Sequence, residues 1–166
     1  PIRALASTLS DHLLTADDVD IEGTDEVWLK RGDLLAIIRR YEDEKRRLGV
    51  VDYGDLIARA HALVTRHPEI AGILRDRYRA VVLDEYQDTN EAQYQIAARI
   101  AERHKNICVT GDPDQSIYGW RGANLSNILD FEKSFSGAAL VRLDENYRRS
   151  GTILQAANQV IRHNVN

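Results

Sequence analysis

The sequence contains no methionine and only one cysteine, Cys108. A single cysteine excludes an intramolecular disulfide and a cysteine-rich zinc site. Because Cys108 lies in the apolar run Ile107-Cys108-Val109, we expect it to be a buried, small hydrophobic residue. No apolar run approaches the roughly 18 residues that a membrane-spanning helix needs, and no secretory leader is visible. The composition therefore predicts a cytoplasmic protein without a membrane partner.

Excess positive charge is also lacking, since the 166 residues carry a formal net charge of −4. This net charge does not indicate nucleic-acid binding, although an acidic protein can still bind nucleic acid through a locally basic groove. The hydrophobic fraction of 43% suits one globular domain with a piece of a second. A chain that begins at Pro1 and has no methionine is expected to be a piece of a larger protein.

Helical and strand patterns alternate along the chain. Periodicity and turn residues predict helices over 2–14, 33–48, 53–66, 69–78, 91–103, 124–131 and 152–162, a loop over 17–25, and strands over 81–83, 107–110 and 138–143. The apolar stripe of the second helix is predicted to contain Leu34, Ile37, Ile38, Tyr41 and Leu48. The strand over 81–83 is short and wholly apolar, which is typical of a strand buried on both faces, and the strand over 107–110 is also expected to be buried. The alternation predicts an α/β fold with a mostly parallel sheet and helices on both faces.

The segment VVLDEYQDTN (81–90) runs from an apolar strand directly into Asp84 and Glu85. Adjacent carboxylates repel each other, and burying either without a partner is costly, so a positive group is expected beside them. One carboxylate could hold Mg²⁺ through water while the other deprotonates an attacking water. The alternative is a surface turn with two solvated acids, and the Asp-Glu pair alone favours that alternative.

The segment VTGDPDQSIYGWRGA (109–123) follows the next predicted strand. Exposed aromatic residues beside an arginine, here Tyr118, Trp120 and Arg121, suit stacking on single-stranded bases. The alternative, that both aromatic residues belong to the core, is equally compatible with this segment alone. A calcium-binding EF-hand is excluded because Ile117 occupies the position where that loop requires glycine.

In a third segment, LDENYRRS (143–150), a tyrosine followed by two arginines could stack on a base and pair with phosphate. The alternative is the charged start of a helix. In this order, the three segments resemble the superfamily 1 DNA helicases of the UvrD/Rep/PcrA type. The sequence VLDEYQDTN (82–90) is similar to motif II, which is the Walker B site, 109–123 to motif III and 143–150 to motif IV. Upstream, VDYGDLI (51–57) resembles a short segment that precedes the Walker B strand in that family.

The resemblance implies a site for ATP and Mg²⁺. Asp84 would hold Mg²⁺, and Glu85 would be the general base for ATP hydrolysis. Gln115 would sense the terminal phosphate and couple it to DNA. Tyr147 would stack on adenine, and Arg148 would reach the γ-phosphate as an arginine finger.

The resemblance also implies contacts with DNA. Tyr118 and Trp120 would contact single-stranded DNA, and Arg121 would help to connect the DNA and nucleotide sites. Gln87 and Asp88 would support the residues that contact ATP and would couple the nucleotide site to the DNA site. The implied partners are single-stranded DNA and duplex junctions.

One family feature is missing. The phosphate loop has the form G-x-x-x-x-G-K-[ST], and none of the ten glycines is followed by lysine. We therefore expect 31–137 to be the C-terminal half of a first RecA-like motor domain and 138–166 the start of a second. Residues 1–30 stay unassigned and, by position, are a candidate tail of an inserted helical subdomain. The isolated chain is expected to be inactive, to need the remainder of a helicase chain as its partner, and to self-associate.

Two rival functions remain open at this point. The first is the helicase portion of a RecB-like helicase-nuclease, which shares these motifs. The second is a non-catalytic remnant that binds DNA or a partner protein. Retention of Asp84, Glu85, Gln115 and Arg148 argues against the remnant.

Overall fold

The computed structural model describes residues 2–19 and 26–163. The helices are α1 (Ile2–Asp11), α2 (Glu26–Leu48), α3 (Tyr53–Arg66), α4 (Pro68–Arg77), α5 (Glu91–Ala101), α6 (Ser126–Leu129), α7 (Phe131–Ser134) and α8 (Gly151–Ile161), and the strands are β1 (Val81–Leu83) and β2 (Ile107–Val109). Residues 17–19 of the predicted loop are non-helical, and 20–25 lie outside the described residues. None of the described helices is long and apolar enough to cross a membrane.

The two strands pair in parallel, with Val82 opposite Cys108. This pairing confirms an α/β fold with a parallel sheet. Helix α5 packs against β1, yet Val82 is 71% exposed and Cys108 is also exposed. The predictions of strands buried on both faces, of helices on both faces and of a buried Cys108 are therefore wrong for the described residues. Apolar strand residues are buried only where another layer packs on them, and here one face of the sheet is uncovered.

The predicted third strand over 138–143 is also absent. These residues form no helix or strand, and Leu140 and Val141 are 71% and 75% exposed. A strand depends on hydrogen bonds to a neighbouring strand, which the described residues do not offer to this segment.

Helix α3 begins where it does because of a capping box. The side chain of Asp52 accepts a hydrogen bond from the Asp55 N–H, and the side chain of Asp55 accepts one from the Asp52 N–H, both at 2.9 Å. The ammonium group of Lys45 on α2 donates to Asp52 Oδ2 at 3.0 Å and to Asp55 Oδ1 at 2.9 Å. Burial by itself lowers the pKa of Lys45, but its hydrogen bonds to Glu42, Asp55 and Asp52 outweigh burial and raise that pKa. Lys45 thus fixes the end of α2 against the start of α3.

An apolar cluster joins α1 to α2. Its buried members are Ala6, Leu9, Ala16, Leu35 and Ile38. The stripe predicted for α2 is confirmed at Ile38, which is buried. It is wrong at Ile37, Tyr41 and Leu48, which are exposed, and it omits the buried Leu35. The apolar face of a helix is set by what packs on it, and α1 occupies that place here.

Candidate functional site

The carboxyl ends of β1 and β2 bring Asp84 and Thr110 together. Leu83 lies opposite Val109 in the parallel register, so the next residue of each strand leaves the sheet at the same edge. Asp84 Oδ1 accepts hydrogen bonds from the Thr110 hydroxyl and, at 3.0 Å, from the Glu85 N–H. Both bonds lower the pKa of Asp84 below its ordinary value, and the bond from the Thr110 hydroxyl has the larger effect. Asp84 is therefore an ionised carboxylate at neutral pH.

Glu85 has a left-handed backbone conformation, with φ 51° and ψ 43°. Non-glycine residues seldom adopt this conformation, and such residues cluster at functional sites. Its Oε2 accepts a hydrogen bond from Gln87 Nε2 at 2.7 Å. Gln87 is 1% exposed, and its Oε1 accepts the N–H of Asp112 at 3.1 Å. A single buried amide thus connects the Glu85 carboxylate to the loop that follows β2.

Gly111 permits this close approach of the two loops. A Cβ at position 111 would lie 2.5 Å from Gln87 Oε1 and 3.2 Å from the Tyr86 nitrogen. The loop continues with Gln115, whose Nε2 donates to Asp112 Oδ2 at 2.8 Å. Hydrogen bonds therefore run from Glu85 through Gln87 and Asp112 to Gln115.

Tyr118, Trp120 and Arg121 form one surface beyond this loop. The two aromatic rings lie 6.4 Å apart at an angle of 51°. The guanidinium group of Arg121 lies 5.6 Å from the Tyr118 ring centroid and 5.7 Å from that of Trp120. Trp120 is 77% exposed, so its ring is open to a ligand and does not belong to the core.

A cavity of about 540 Å³ lies beside this surface. Its walls come from α1, α3, α5 and the loop after β2, and its lining includes Tyr53, Asp88 and Tyr118. Asp88 Oδ1 is buried without a hydrogen-bond partner among the described residues. Asp88, which follows the carboxylate pair in sequence, thus lines the same cavity as Tyr118 and Arg121 of the aromatic surface.

Sequence reasoning missed three residues that shape this site. Thr110 binds Asp84, and Asp112 binds both Gln87 and Gln115. The parallel-strand pattern places Asp112 at a strand end beside Asp84 and Glu85, but sequence reasoning assigned no role to Thr110 or Asp112. The third is Asp11 on α1, which accepts a hydrogen bond from Asn90 at 2.9 Å. No sequence signal pointed to Asp11.

Tyr147 and Arg148 make their hydrogen bonds within their own segment. Tyr147 is 86% exposed, and its hydroxyl donates to Glu145 Oε2 at 2.8 Å. The Arg148 N–H donates to Asn146 Oδ1 at 2.9 Å. Within the described part of the chain, no hydrogen bond or ion pair joins these two residues to Asp84 or Glu85. Hydrogen bonds thus connect the candidates Asp84, Glu85, Gln87 and Gln115, and ring contacts connect Tyr118, Trp120 and Arg121.

The residues present fit Mg²⁺ held mainly by water and substrate phosphates. Such a site uses one or two protein carboxylates, and Asp84 is an ionised, exposed carboxylate fixed by two hydrogen bonds. The described residues contain no group of three or more His, Cys, Asp or Glu side chains that could hold a metal ion. A metal here would accordingly need ligands beyond these side chains.

The sheet edge, its carboxylates and the exposed aromatic surface define a candidate nucleotide- and DNA-responsive domain. A family model described as the UvrD/REP helicase N-terminal domain matches residues 2–136. The chain therefore belongs to the UvrD/REP helicase family. The match includes α1 and α2, so the segment left unassigned by its motifs lies within the family's domain.

Named relatives are DNA helicases. A probable DNA helicase II homolog of Rickettsia felis is 48% identical over 129 residues, which is 76% of this chain and 20% of the relative. The ATP-dependent DNA helicase PcrA of Staphylococcus aureus is 42% identical over 159 residues, which is 95% of this chain and 21% of the relative. The chain thus spans about a fifth of the length of the curated relatives that it matches.

Proposed function

We propose that this chain is the part of an ATP-dependent DNA helicase or translocase that bears the Walker B carboxylates. In this proposal, 82–90, 109–123 and 143–150 are motifs II, III and IV of the family. The observation that supports it best is the hydrogen-bonded path from Glu85 through Gln87 and Asp112 to Gln115. This path connects a candidate hydrolytic carboxylate to the loop that bears the exposed aromatic surface.

The nucleotide chemistry is assigned to the strand ends. Asp84 holds Mg²⁺, which when bound would neutralise charge on the phosphates. Glu85 accepts the proton of the water that attacks the terminal phosphate of ATP. The bond from Gln87 Nε2 at 2.7 Å orients the Glu85 carboxylate and helps to hold its left-handed backbone. Arg148 reaches the γ-phosphate and Tyr147 stacks on adenine when the segment 143–150 closes over the sheet edge, since both make their present hydrogen bonds within that segment.

Coupling to DNA is assigned to the loop after β2. Gln115 senses the terminal phosphate, and its present bond to Asp112 gives it an alternative partner when no phosphate is there. Tyr118 and Trp120 stack on bases of single-stranded DNA, which is sequence-tolerant because every base has a π face. Arg121, which lies over both rings, positions them and adds charge near phosphates.

The domain organisation follows from the same assignment. We propose that 31–137 is the C-terminal half of a first RecA-like motor domain, that 138–166 begins a second, and that 1–30 ends an inserted helical subdomain. The family match ends at residue 136, and the open sheet face at Val82 would be covered by the rest of the first domain. Without the phosphate loop, the isolated chain is expected to lack ATPase activity.

The first test compares the intact mass of the chain with the reading frame that encodes it. The proposal expects a longer frame that encodes a G-x-x-x-x-G-K-[ST] loop upstream of residue 1, and an isolated chain without ATPase activity. A frame with the boundaries of this chain, or ATPase activity in a contaminant-free sample of it, would overturn the proposal.

A further inference from the structure

We infer that Asp11 on α1 is a positioning residue that holds the turn containing Trp120 and Arg121 against the segment after the carboxylate strand. The inference rests on the proposed DNA-binding function of that turn, and it deepens that function by adding α1 to the site. Helix α1 thereby sets the orientation of the DNA-binding surface although it contributes no residue to that surface.

The first observation is the contact with Asn90. Asp11 Oδ1 accepts a hydrogen bond from Asn90 Nδ2 at 2.9 Å, across 79 residues of sequence. The other amide atom of Asn90, Oδ1, caps α5 by accepting the Gln93 N–H at 2.9 Å, so Asn90 cannot rotate freely. Asp11 is thereby attached to a rigid point at the end of the 82–90 segment.

The second observation is the packing of Asp11 on the turn itself. Gly122 ends the turn with φ 82°, and a Cβ there would lie 2.8 Å from Asp11 Cβ. The turn can therefore approach α1 this closely only because residue 122 has no side chain. The Arg121 guanidinium is near enough to act electrostatically on the Asp11 carboxylate, and Asp11 and Arg121 line the same cavity.

These contacts place one carboxylate between two segments that the proposed function must couple. Arg121 lies 5.6 Å from the Tyr118 ring centroid and 5.7 Å from that of Trp120, so a displacement of the turn that moves Arg121 also alters its contacts with both rings. Asn90 follows the carboxylate strand by only a few residues. Loss of Asp11 would leave the aromatic side chains present but misaligned.

The test uses the whole chain and a fluorescein-labelled oligothymidylate. Asp11→Ala is expected to weaken binding by a factor of roughly 2–10, the usual range for a removed coupling between neighbouring groups. In a background carrying Trp120→Ala and Arg121→Ala, the same substitution is expected to have no effect. The control is Asp43→Asn, which removes an equal charge from an exposed pair with Arg46.

A second readout needs no DNA. The NMR signal of the Trp120 indole N–H is assigned as the one that disappears in Trp120→Phe. Its chemical shift is expected to change in Asp11→Ala and to stay the same in Asp43→Asn. Asp11→Asn keeps an oxygen for Asn90 but removes the charge that faces Arg121, so it is expected to fold and to shift the signal less. If Asp11→Ala does not fold, Asp11→Asn decides the test by the same signal.

The outcomes separate the two claims. An unmoved Trp120 signal, or an equal loss of affinity with and without the turn's side chains, would overturn the role of Asp11. If Trp120→Ala and Arg121→Ala leave DNA affinity unchanged, the proposed DNA function of the turn fails, and the Trp120 signal still decides whether Asp11 positions the turn.

Discussion

The residues around Glu85 illustrate how strain and hydrogen bonding combine at one position. Its left-handed backbone costs on the order of 1–3 kcal/mol for a non-glycine residue. The bond from buried Gln87 and the close approach of Gly111 hold the two loops that surround it. The strain is therefore offset by the contacts of its neighbours, and changes at those neighbours should be costly.

Gly111→Ala tests this packing. The added Cβ would meet Gln87 Oε1 at 2.5 Å, and because the loops would have to separate, we expect the free energy of unfolding to fall by about 1–3 kcal/mol. The measurement is urea denaturation followed by circular dichroism. Gly72→Ala in α4 is the control, since a Cβ there meets nothing within 4 Å and alanine favours helix by about 0.5–1 kcal/mol. Equal stability of the two variants would contradict the packing argument.

Tyr86 gives a prediction about alkaline pH. Its side chain is fully buried, and burial, followed by the nearby Tyr94 and Glu91, raises its pKa to about 12 from an ordinary 10.0. The unfolded chain releases this proton first, so stability is complete below pH 10 and falls as pH rises towards 12. Among the described residues, its hydroxyl has no hydrogen-bond partner.

Tyr86→Phe is therefore expected to change stability at pH 8 by less than about 1 kcal/mol, because an unpaired buried hydroxyl contributes little. The variant should also lose part of the decline between pH 10 and 12. Urea denaturation at a series of pH values measures both effects, with Tyr53→Phe as the control at an exposed hydroxyl. An unchanged alkaline decline in Tyr86→Phe would show that Tyr86 is not its source.

At the scale of elements, the joint between α2 and α3 depends on Lys45. Its side chain is 6% exposed, and its ammonium group lies within 3.0 Å of carboxylate oxygens on Glu42, Asp52 and Asp55. Removing the cation would leave three carboxylates facing one another beside the start of α3.

Lys45→Met should lower the free energy of unfolding by about 1–3 kcal/mol, a range reduced from that of fully buried pairs because Asp52 and Glu42 are partly exposed. Arg46→Met is the matched control, since it breaks an exposed pair with Asp43 and should change stability by less than about 0.5 kcal/mol. Thermal denaturation of both variants would measure the difference. Two equal, small changes would show that Lys45 does not hold this joint.

The elements that the sequence predicted correctly are those with local signals. Helix α3 was predicted with its observed bounds, since Asp52 and Asp55 cap it from within three residues. The strand over 138–143 was predicted wrongly because pairing depends on a neighbour that an apolar run does not reveal.

The candidate site divides in the same way. Asp84, Glu85 and Gln115 belong to contiguous motifs that sequence reasoning identified. Asp11 contacts Asn90 across 79 residues, and no local pattern encodes such a contact. The apolar stripe of α2 was predicted correctly at Ile38 but without Leu35, because the residues that α1 covers depend on how the two helices pack.

The whole molecule exposes one face of its sheet. Val82 on β1 is 71% exposed and Cys108, its partner on β2, is also exposed. The apolar residues on this face of the sheet are therefore in contact with solvent. Such surfaces tend to associate with other chains or with missing parts of their own domain.

We therefore expect the isolated chain to self-associate as its concentration rises, and Val82→Lys to reduce that association. Sedimentation velocity over a range of concentrations is the measurement. Ile73→Lys is the control, because Ile73 is a large, 65% exposed apolar residue on α4, away from the sheet. Equal reductions by both variants would indicate that charge alone, and not the sheet face, controls association.

The proposed function requires Glu85 to activate water for ATP hydrolysis in a longer helicase chain. The most direct test is the DNA-stimulated ATPase rate of the complete gene product, compared with that of its Glu85→Gln variant. We predict that kcat falls by about 10²-fold or more while ATP still binds, because the amide keeps the shape of the side chain but cannot accept the proton. A Glu85→Gln enzyme that hydrolyses ATP at the wild-type rate would contradict the account.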